Sequence, residues 1–372
     1  MKKIVPLLLF AIMLFISCSD LSIKGSRDLD SLITECDKQL TEKVGKTIPG
    51  AVIVFIENGE IYYQKAYGVK NKNTHEAISV DTIFQVASIS KTVFAITVLK
   101  LMQEGLIDID KPISFYLTRW LLPDSKYDNS GVIARRILAH SAGLSVEGYL
   151  GYRPKTKLPT LEQSLSSFLY SVKLKRNPGD KWKYSGGGYT VLQLAIEEIT
   201  GQELSKYTKT NVFNNLRMTK SSYAYDISMN NDLAKPYNYL GAEIPNYLFT
   251  ETAAAGLYTT AHDLSLLIIE IMNCYNNREN NLVISKESLE LMMAPEIDIS
   301  KYESMGMGLF IYDLSNNIKT YGHGGVNRGW RAQYEFCPYK NSGIVVLSNS
   351  DLGGKKIINP LISVWREYII KK

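Results

Sequence analysis

A serine and a lysine three residues apart, Ser88 and Lys91, have the types and the spacing of a nucleophile with its base. Residues three apart on a helix share one face, so the two side chains would lie side by side. A serine hydroxyl is a poor nucleophile at neutral pH unless a base takes its proton, and a partly desolvated lysine can be neutral enough to help. The pair equally fits an N-cap serine followed by a surface lysine, so alone it is a weak indication of catalysis.

Two glycine-rich segments could bring further groups to such a pair. The first runs from Tyr184 to Tyr189 ahead of an apolar segment, so its backbone could pass close to a ligand and present the Tyr184 phenol. The second places His323 among glycines before a predicted strand, where backbone N–H groups could receive an oxyanion. Taken alone, each segment also fits an ordinary loop or bend.

The elements that must position these groups follow from the periodicity of the apolar residues. The predicted strands are 50–56, 61–68, 306–312, 331–337 and 343–347, and the predicted helices are 29–44, 88–104, 161–174, 189–200, 261–272 and 357–370. This order predicts an α/β (α+β) fold: an antiparallel sheet built from both chain ends and flanked by N- and C-terminal helices. A mostly helical region is inserted between the two halves, at about 88–290 of a domain that spans 29–372.

The composition excludes several classes of protein. A chain of 372 residues with 45% hydrophobic and 21% charged residues is typical of ordered globular proteins rather than disordered or fibrous ones. The net charge of +5 is spread along the chain without a block of lysine and arginine, which argues against a nucleic-acid partner.

The N-terminus predicts export. Two lysines precede an apolar run from residue 4 to 16, which is too short to span a bilayer as a mature helix. The run ends before Cys18 in a pattern that resembles the bacterial lipobox, whose cysteine becomes the lipidated first residue of the mature protein. We therefore expect a signal peptide over 1–17, a linker over 18–28, a membrane anchor at Cys18 and a location in the bacterial cell envelope, on the periplasmic or outer-membrane side. An ordinary signal peptide with a stray cysteine is the alternative.

The other cysteines, Cys36, Cys274 and Cys337, are far apart in the sequence and odd in number. This is neither a disulfide framework nor a metal-ligand spacing. The sequence predicts structural thiols, or one bridge, and no metal or other cofactor.

Taken together and in this order, the three motifs resemble the serine β-lactamase-like superfamily. It includes class C β-lactamases, penicillin-binding DD-peptidases, D-aminopeptidases and esterases of the same fold. The resemblance covers nearly the whole chain past the N-terminal segment and extends to the segments 49–51, 138–144, 178–180 and 255–264. It implies an acyl-enzyme mechanism without a cofactor.

The resemblance also implies a role for each motif residue. Ser88 would be the nucleophile, and Lys91 and Tyr184 would transfer protons in an order that the sequence leaves open. The backbone N–H groups of Ser88 and Val326 would form the oxyanion hole. The residues that would contact the substrate are Gly186, His323, Gly324, Gly325 and Val326.

Two departures from the family pattern bear on the substrate. Gly186 occupies the position of the asparagine in Tyr-x-Asn, so no side-chain amide is available there. His323 replaces the lysine of the family's edge-strand Lys-Thr-Gly, and its charge would depend on pH. We therefore expect a secreted or lipid-anchored serine hydrolase that acts on an ester, a D-amino-acid peptide or amide, or a β-lactam. Efficient β-lactamase activity is disfavoured, and the partner is a small-molecule or peptidoglycan-like substrate.

Two alternatives remain. A cell-wall penicillin-binding protein or β-lactam sensor would use the same residues to form an acyl-enzyme without efficient turnover. A nucleophile elbow over 139–143 would instead make Ser141 the nucleophile, although the segment before it has helical rather than strand spacing. His140 and His262 are predicted to be structural, the first at a helix end and the second at a helix start.

Overall fold

The computed structural model describes residues 29–278 and 283–372. Within these ranges, no helix is both long and apolar enough to cross a membrane. The expected signal peptide, the linker and Cys18 lie outside the described residues.

A helix begins and a helix ends the described chain; strands follow the first and precede the last, and most other helices lie between these two groups of strands. The strands are β1 (Gly50–Glu57), β2 (Glu60–Asn71), β3 (Glu76–Ala77), β4 (Phe84–Gln85), β5 (Tyr258–Thr259), β6 (Ile297–Ser300), β7 (Glu303–Met305), β8 (Phe310–Asp313), β9 (Lys319–Asn327), β10 (Trp330–Cys337) and β11 (Ser342–Ser348). The helices are α1 (Leu29–Lys43), α2 (Ser90–Gln103), α3 (Ala134–Leu138), α4 (Leu161–Leu165), α5 (Gly186–Thr200), α6 (Leu204–Thr208), α7 (Thr252–Ala255), α8 (Ala261–Tyr275), α9 (Lys286–Met293) and α10 (Asn359–Lys371).

The described residues form a nine-stranded sheet in the order β3-β2-β1-β11-β10-β9-β8-β7-β6. β1 and β11 pair antiparallel, with Ala51 opposite Ser348, so the two ends of the chain meet inside the sheet. A separate two-stranded sheet joins β4 to β5. The predicted fold class is confirmed, because strands from both chain ends build one sheet that α1 and α10 flank.

Helices cover the central strands on both faces, which explains why these strands are apolar throughout. All eight residues of β1 are buried, and alternate side chains of a strand point to opposite faces. Ala51, Ile53 and Phe55 pack in one cluster with residues of α1 and α10. Val52 and Val54 belong to the larger core with residues of α2, α5 and α8. The helices that carry the candidate site thus share a core with the sheet.

The predicted helix over 161–174 is wrong beyond its first turns, because α4 ends at Leu165. Further along, Val172 donates its backbone N–H to the Leu165 carbonyl at 2.9 Å, and Leu174 forms a β-bridge with Leu144. Val172 and Leu174 are buried in this extended segment, whereas Phe168 and Leu169, in the turn before it, are exposed. Tertiary contacts therefore override the local helical propensity.

The predicted strand over 306–312 is interrupted at Gly308, whose φ of 75° lies in the left-handed region. The resulting turn between β7 and β8 lies against α2. The Gly308 carbonyl accepts a hydrogen bond from Thr92 Oγ1 at 2.9 Å. A Cβ built on Gly308 would lie 2.6 Å from the Cβ of Ala95, so this contact needs a glycine.

Replacing Gly308 by alanine should destabilise the protein more than the same replacement at Gly105. Both glycines have a left-handed φ, 75° and 71°, but a Cβ at Gly105 meets nothing within 4 Å. The difference isolates the clash with α2, and overpacking of this kind costs about 1–3 kcal/mol. Urea unfolding followed by circular dichroism measures both losses. Equal losses would show that α2 moves aside without cost.

Candidate active site

The turn that carries Ser88 is anchored to the elements around it. Ser88 is partly exposed and lies in a short 3-10 helix, Ala87–Ile89, which leads into α2. Ala87 has a φ of 50°, an uncommon conformation for a residue with a side chain. Ser90 supports this turn, since its Oγ donates to the Ala87 carbonyl and accepts from the Leu257 N–H. The Ser88 hydroxyl is therefore held at a defined position at the start of α2.

Lys91 lies in the first turn of α2 with its amino group shielded from solvent. The residue is 2% exposed. Its Nζ lies 3.2 Å from Ser88 Oγ and donates a hydrogen bond to the Ala254 carbonyl. Burial lowers the pKa of Lys91 to about 7, because desolvation disfavours the charged form. A neutral amine keeps a lone pair for the serine proton while it still donates to the carbonyl.

The carbonyl that accepts this bond is positioned by α5. Gln193 accepts a hydrogen bond from the Ala253 N–H at 3.0 Å and donates one to the Thr250 carbonyl at 3.3 Å. These bonds fix α7, which contains Ala254. This role of Gln193 is not predicted from the sequence, because a single glutamine in an apolar helix carries no signal of what it contacts.

Tyr184 lies just before α5 and completes the group around the serine. Its phenol lies close enough to the Ser88 hydroxyl to be affected by it, and Lys91 Nζ lies 4.9 Å from its ring centre. Burial raises the pKa of Tyr184 above its usual value, so the phenol keeps its proton at neutral pH. The structure therefore brings together the serine, the lysine and the tyrosine that the sequence singled out.

Gly186 is the first residue of α5, and a loop covers it. Its N–H donates to the Glu147 carbonyl at 3.1 Å, and a Cβ on Gly186 would lie 3.2 Å from the same oxygen. That distance is shorter than an ordinary van der Waals contact, so a larger residue would have to displace the loop. The loop around Glu147 thus occupies the space that a side chain at position 186 would need.

The second half of β9 forms one wall of the site. β8 pairs with β9 only as far as Gly322. Beyond it, a Cβ on Gly325 would lie 2.0 Å from the Val86 carbonyl oxygen. This close approach brings β9 against the turn of Ser88, and the next side chain, that of Val326, is 58% exposed. The edge strand therefore lies where the resemblance places it, whereas the oxyanion hole stays a prediction.

The side chain of His323 is buried rather than exposed to solvent. It is 2% exposed, and its Nδ1 lies 2.7 Å from the Gly324 carbonyl oxygen. Burial, together with the nearby charge of Lys91, lowers the pKa of His323 to about 3. The expectation that its charge changes near neutral pH is therefore wrong, because desolvation keeps the imidazole neutral.

Ser141 lacks the geometry of a nucleophile elbow. It follows the helix α3 rather than a strand, it is 4% exposed, and its Oγ donates to the Arg136 carbonyl at 3.4 Å. His262 lies in the first turn of α8, as expected for a structural residue. His140, in contrast, lies against the Tyr184 ring, with 4.1 Å between the ring centres. Nothing in the sequence links His140 to Tyr184, because the two residues are 44 positions apart and the contact is made only in the fold.

The described cysteines do not form a metal-binding cluster. Cys36, Cys274 and Cys337 are all buried. Over 29–278 and 283–372, no group of three or more histidine, cysteine, aspartate and glutamate side chains is arranged to hold a metal ion.

The sheet, the helices inserted into it, and a serine with lysine and tyrosine neighbours at their junction are the architecture of serine β-lactamase-fold hydrolases. A statistical model of the Beta-lactamase family matches residues 29–361, and the chain belongs to that family. The resemblance to the serine β-lactamase-like superfamily, inferred from the sequence motifs, is confirmed.

The chain is also similar to individual proteins. It is 24% identical over 311 residues to Protein flp of Staphylococcus aureus (strain MRSA252), a match that covers 81% of this chain and 60% of flp. The chain thus spans about 60% of the length of that relative. Among solved structures, it resembles the octameric penicillin-binding protein homologue from Pyrococcus abyssi, with 25% identity, a TM-score of 0.74, and 87% and 74% of the two chains covered. It also shares the fold of a D-stereospecific amidohydrolase from Streptomyces sp., with 20% identity, a TM-score of 0.71, and 87% and 97% covered.

The rate of Ser88 acylation should rise with pH around neutrality. Lys91 can take the serine proton only as the neutral amine, and its pKa is lowered to about 7. The rate should fall about tenfold per pH unit below that value and level off above it. Intact-mass kinetics with an uncharged fluorophosphonate from pH 5 to 9 measure the profile.

The control is His323→Asn, which should keep the same midpoint even if its rates are lower, since the pKa of His323 lies near 3. A flat profile would contradict the assignment of Lys91. So would a rate that still rises about tenfold per pH unit up to pH 9, as expected for the ordinary lysine pKa of 10.5.

Proposed function

We propose that the protein is an exported serine hydrolase that acts through an acyl-enzyme at Ser88, on esters and D-amino-acid amides or peptides. The observation that carries this proposal is the 3.2 Å distance between Ser88 Oγ and the buried Nζ of Lys91. A serine becomes a nucleophile when an adjacent base can take its proton. Export and anchoring at Cys18 rest on the N-terminal sequence pattern alone.

The pKa of Lys91 is lowered and that of Tyr184 is raised. Lys91 is therefore suited to accept a proton and Tyr184 to donate one. Neutral Lys91 takes the proton from Ser88 Oγ, and the oxygen attacks the carbonyl carbon of the substrate. The oxyanion of the tetrahedral intermediate is stabilised by the backbone N–H groups of Ser88 and Val326. The phenol of Tyr184 then gives its proton to the leaving oxygen or nitrogen and regains one from Lys91. In deacylation, water attacks the acyl-enzyme and its proton returns through the same pair to Ser88 Oγ.

The preference for esters and small amides follows from two groups that the site lacks: a side-chain amide at Gly186 and a positive charge at His323. An acylamino side chain, as in penicillins and cephalosporins, would find no side-chain amide at Gly186. His323 is neutral, so it supplies no positive charge for a substrate carboxylate. Esters and small amides depend less on these contacts, because their reaction requires mainly the nucleophile and the oxyanion hole. The shared fold with a D-stereospecific amidohydrolase is compatible with the amide class.

A second candidate is a penicillin-binding protein or β-lactam sensor that stays acylated. The similarity to the penicillin-binding protein homologue from Pyrococcus abyssi favours it. Both candidates use Ser88, and they differ only in deacylation. Intact mass after mixing with benzylpenicillin distinguishes them, since a sensor gives a lasting adduct and a hydrolase of the proposed kind gives slow or transient acylation.

Short-chain p-nitrophenyl esters should be hydrolysed with a higher kcat/KM than nitrocefin. The loss of one or two hydrogen bonds to the acylamino group costs about 1–3 kcal/mol when the partner stays buried and unpaired. That range corresponds to roughly 5- to 150-fold in kcat/KM. Spectrophotometric assays of the ester series and of nitrocefin under the same conditions measure the ratio.

Two serine variants serve as controls. Ser88→Ala should lose about 10³-fold or more in turnover of every substrate, and Ser141→Ala should stay within about tenfold of the wild type. A nitrocefin kcat/KM above that of every ester would place the protein with the β-lactamases proper. Covalent labelling that persists in Ser88→Ala would disprove the nucleophile.

Lys91 and Tyr184 should behave as one unit in kinetics. Lys91→Ala and Tyr184→Phe should each lower kcat by about 10² to 10⁴, as removal of general acid–base groups does. The double variant should lose little more than the worse single variant, because residues that act together give non-additive losses. Steady-state assays with the best ester measure the three values. Multiplicative losses would show that the two side chains serve separate steps.

A further inference from the structure

His140 is buried against the tyrosine of the site although its place in the sequence suggests only a helix end. It follows α3, has a φ of 56° and is 1% exposed. Its ring centre lies 4.1 Å from that of Tyr184, with the planes tilted by 32°. The ring of Tyr189, one turn into α5, lies 5.1 Å away. The imidazole therefore fills the space between the tyrosine of the site and the helix that follows it.

The backbone on either side of Tyr184 is bonded to the same histidine. The N–H of Lys183 donates to the His140 carbonyl at 2.8 Å. The N–H of Ser185 donates to His140 Nδ1 at 3.1 Å. One residue thus holds the amides before and after Tyr184 and also packs against its ring. These three contacts leave the phenol little freedom to turn away from Ser88.

The bond from Ser185 also fixes the state of the imidazole. Since Nδ1 accepts this bond, the proton of the neutral ring must be on Nε2. Burial and the nearby charge of Lys91 lower the pKa of His140 well below its usual value. His140 Nε2 is buried and has no hydrogen-bond partner within the part of the chain that the structure describes. A phenylalanine would fill the space without an unpaired polar atom, so packing alone does not account for a histidine.

We infer that His140 is a positioning residue that keeps the phenol of Tyr184 directed at the Ser88 hydroxyl. This inference rests on the proposed role of Tyr184 in proton transfer. Proton transfer needs the two oxygens within about 2.6–3.2 Å, and misplacement by about 1 Å lowers a rate by about 10²-fold. The segment before Tyr184 has no regular secondary structure that could set the position of the phenol. The contacts with His140 set it instead.

Two variants separate the two kinds of contact. His140→Asn keeps an acceptor near the position of Nδ1 and tolerates a left-handed φ, but it removes the ring. His140→Phe keeps the ring and removes the acceptor. Each should lower the rate of Ser88 acylation by a fluorophosphonate about 10- to 100-fold, with KM for the best ester within about threefold. The matched control is His75→Asn, at an exposed histidine with a φ of 57°, which should leave the rate unchanged.

A double-variant cycle with Tyr184→Phe tests whether His140 acts through the tyrosine. In that background, His140→Asn should lower the acylation rate by less than about twofold, since the group that it positions is gone. The same fold loss in both backgrounds would overturn the inference and leave His140 a general packing residue. If Tyr184→Phe alone keeps wild-type activity, the proposed role of Tyr184 fails, whatever His140 does.

Nuclear magnetic resonance of the wild-type protein with ¹⁵N-labelled histidine gives a test that needs no variant. His140 should appear as the neutral tautomer with its proton on Nε2 from pH 5 to 9. A proton on Nδ1, or titration of His140 in this range, would overturn the inference, because Nδ1 could then not accept the bond from Ser185.

Discussion

The removal of the Lys91 amino group from water is the interaction on which the site depends. The amine contacts the Ser88 hydroxyl, the Ala254 carbonyl and the rings of Tyr184 and Tyr189. None of these groups carries a formal negative charge to offset the loss of hydration, so burial favours the neutral amine over the ammonium ion. The same low-polarity surroundings keep Tyr184 protonated and His323 neutral. One physical cause, desolvation, therefore sets the protonation state of each group around the serine.

The sheet creates these surroundings by joining distant parts of the chain. β1 and β11 come from opposite ends and pair along their full length, which brings β9 beside the helices that follow β2. Two glycines then allow contacts that any side chain would prevent. Gly325 lets β9 touch the turn of Ser88, and Gly308 lets the turn before β8 touch α2. Both contacts pack backbone from β9 and from the turn before β8 against the start of α2, where Lys91 lies.

Residues close to Ser88 carry local conformational costs. Ala87 and His140 both have a left-handed φ, which is unfavourable for residues with a side chain. The Nε2 atoms of His140 and His323 are buried and have no hydrogen-bond partner among the described residues. Packing in the core formed by the sheet and α2, α5 and α8 offsets these unfavourable free energies. Such features collect at functional sites, where geometry matters more than local stability.

The sequence by itself determined the fold class, the family, and the serine, lysine and tyrosine of the candidate site. Periodicity and short motifs are local signals, and these features are encoded locally. The same signals failed at 161–174 and at Gly308, where burial against distant residues decided the backbone. The charge of His323 and the place of His140 beside Tyr184 were likewise decided only by the tertiary structure. A pKa and a ring contact depend on which groups surround a side chain and how much water they exclude, and those groups come from segments far apart in the chain.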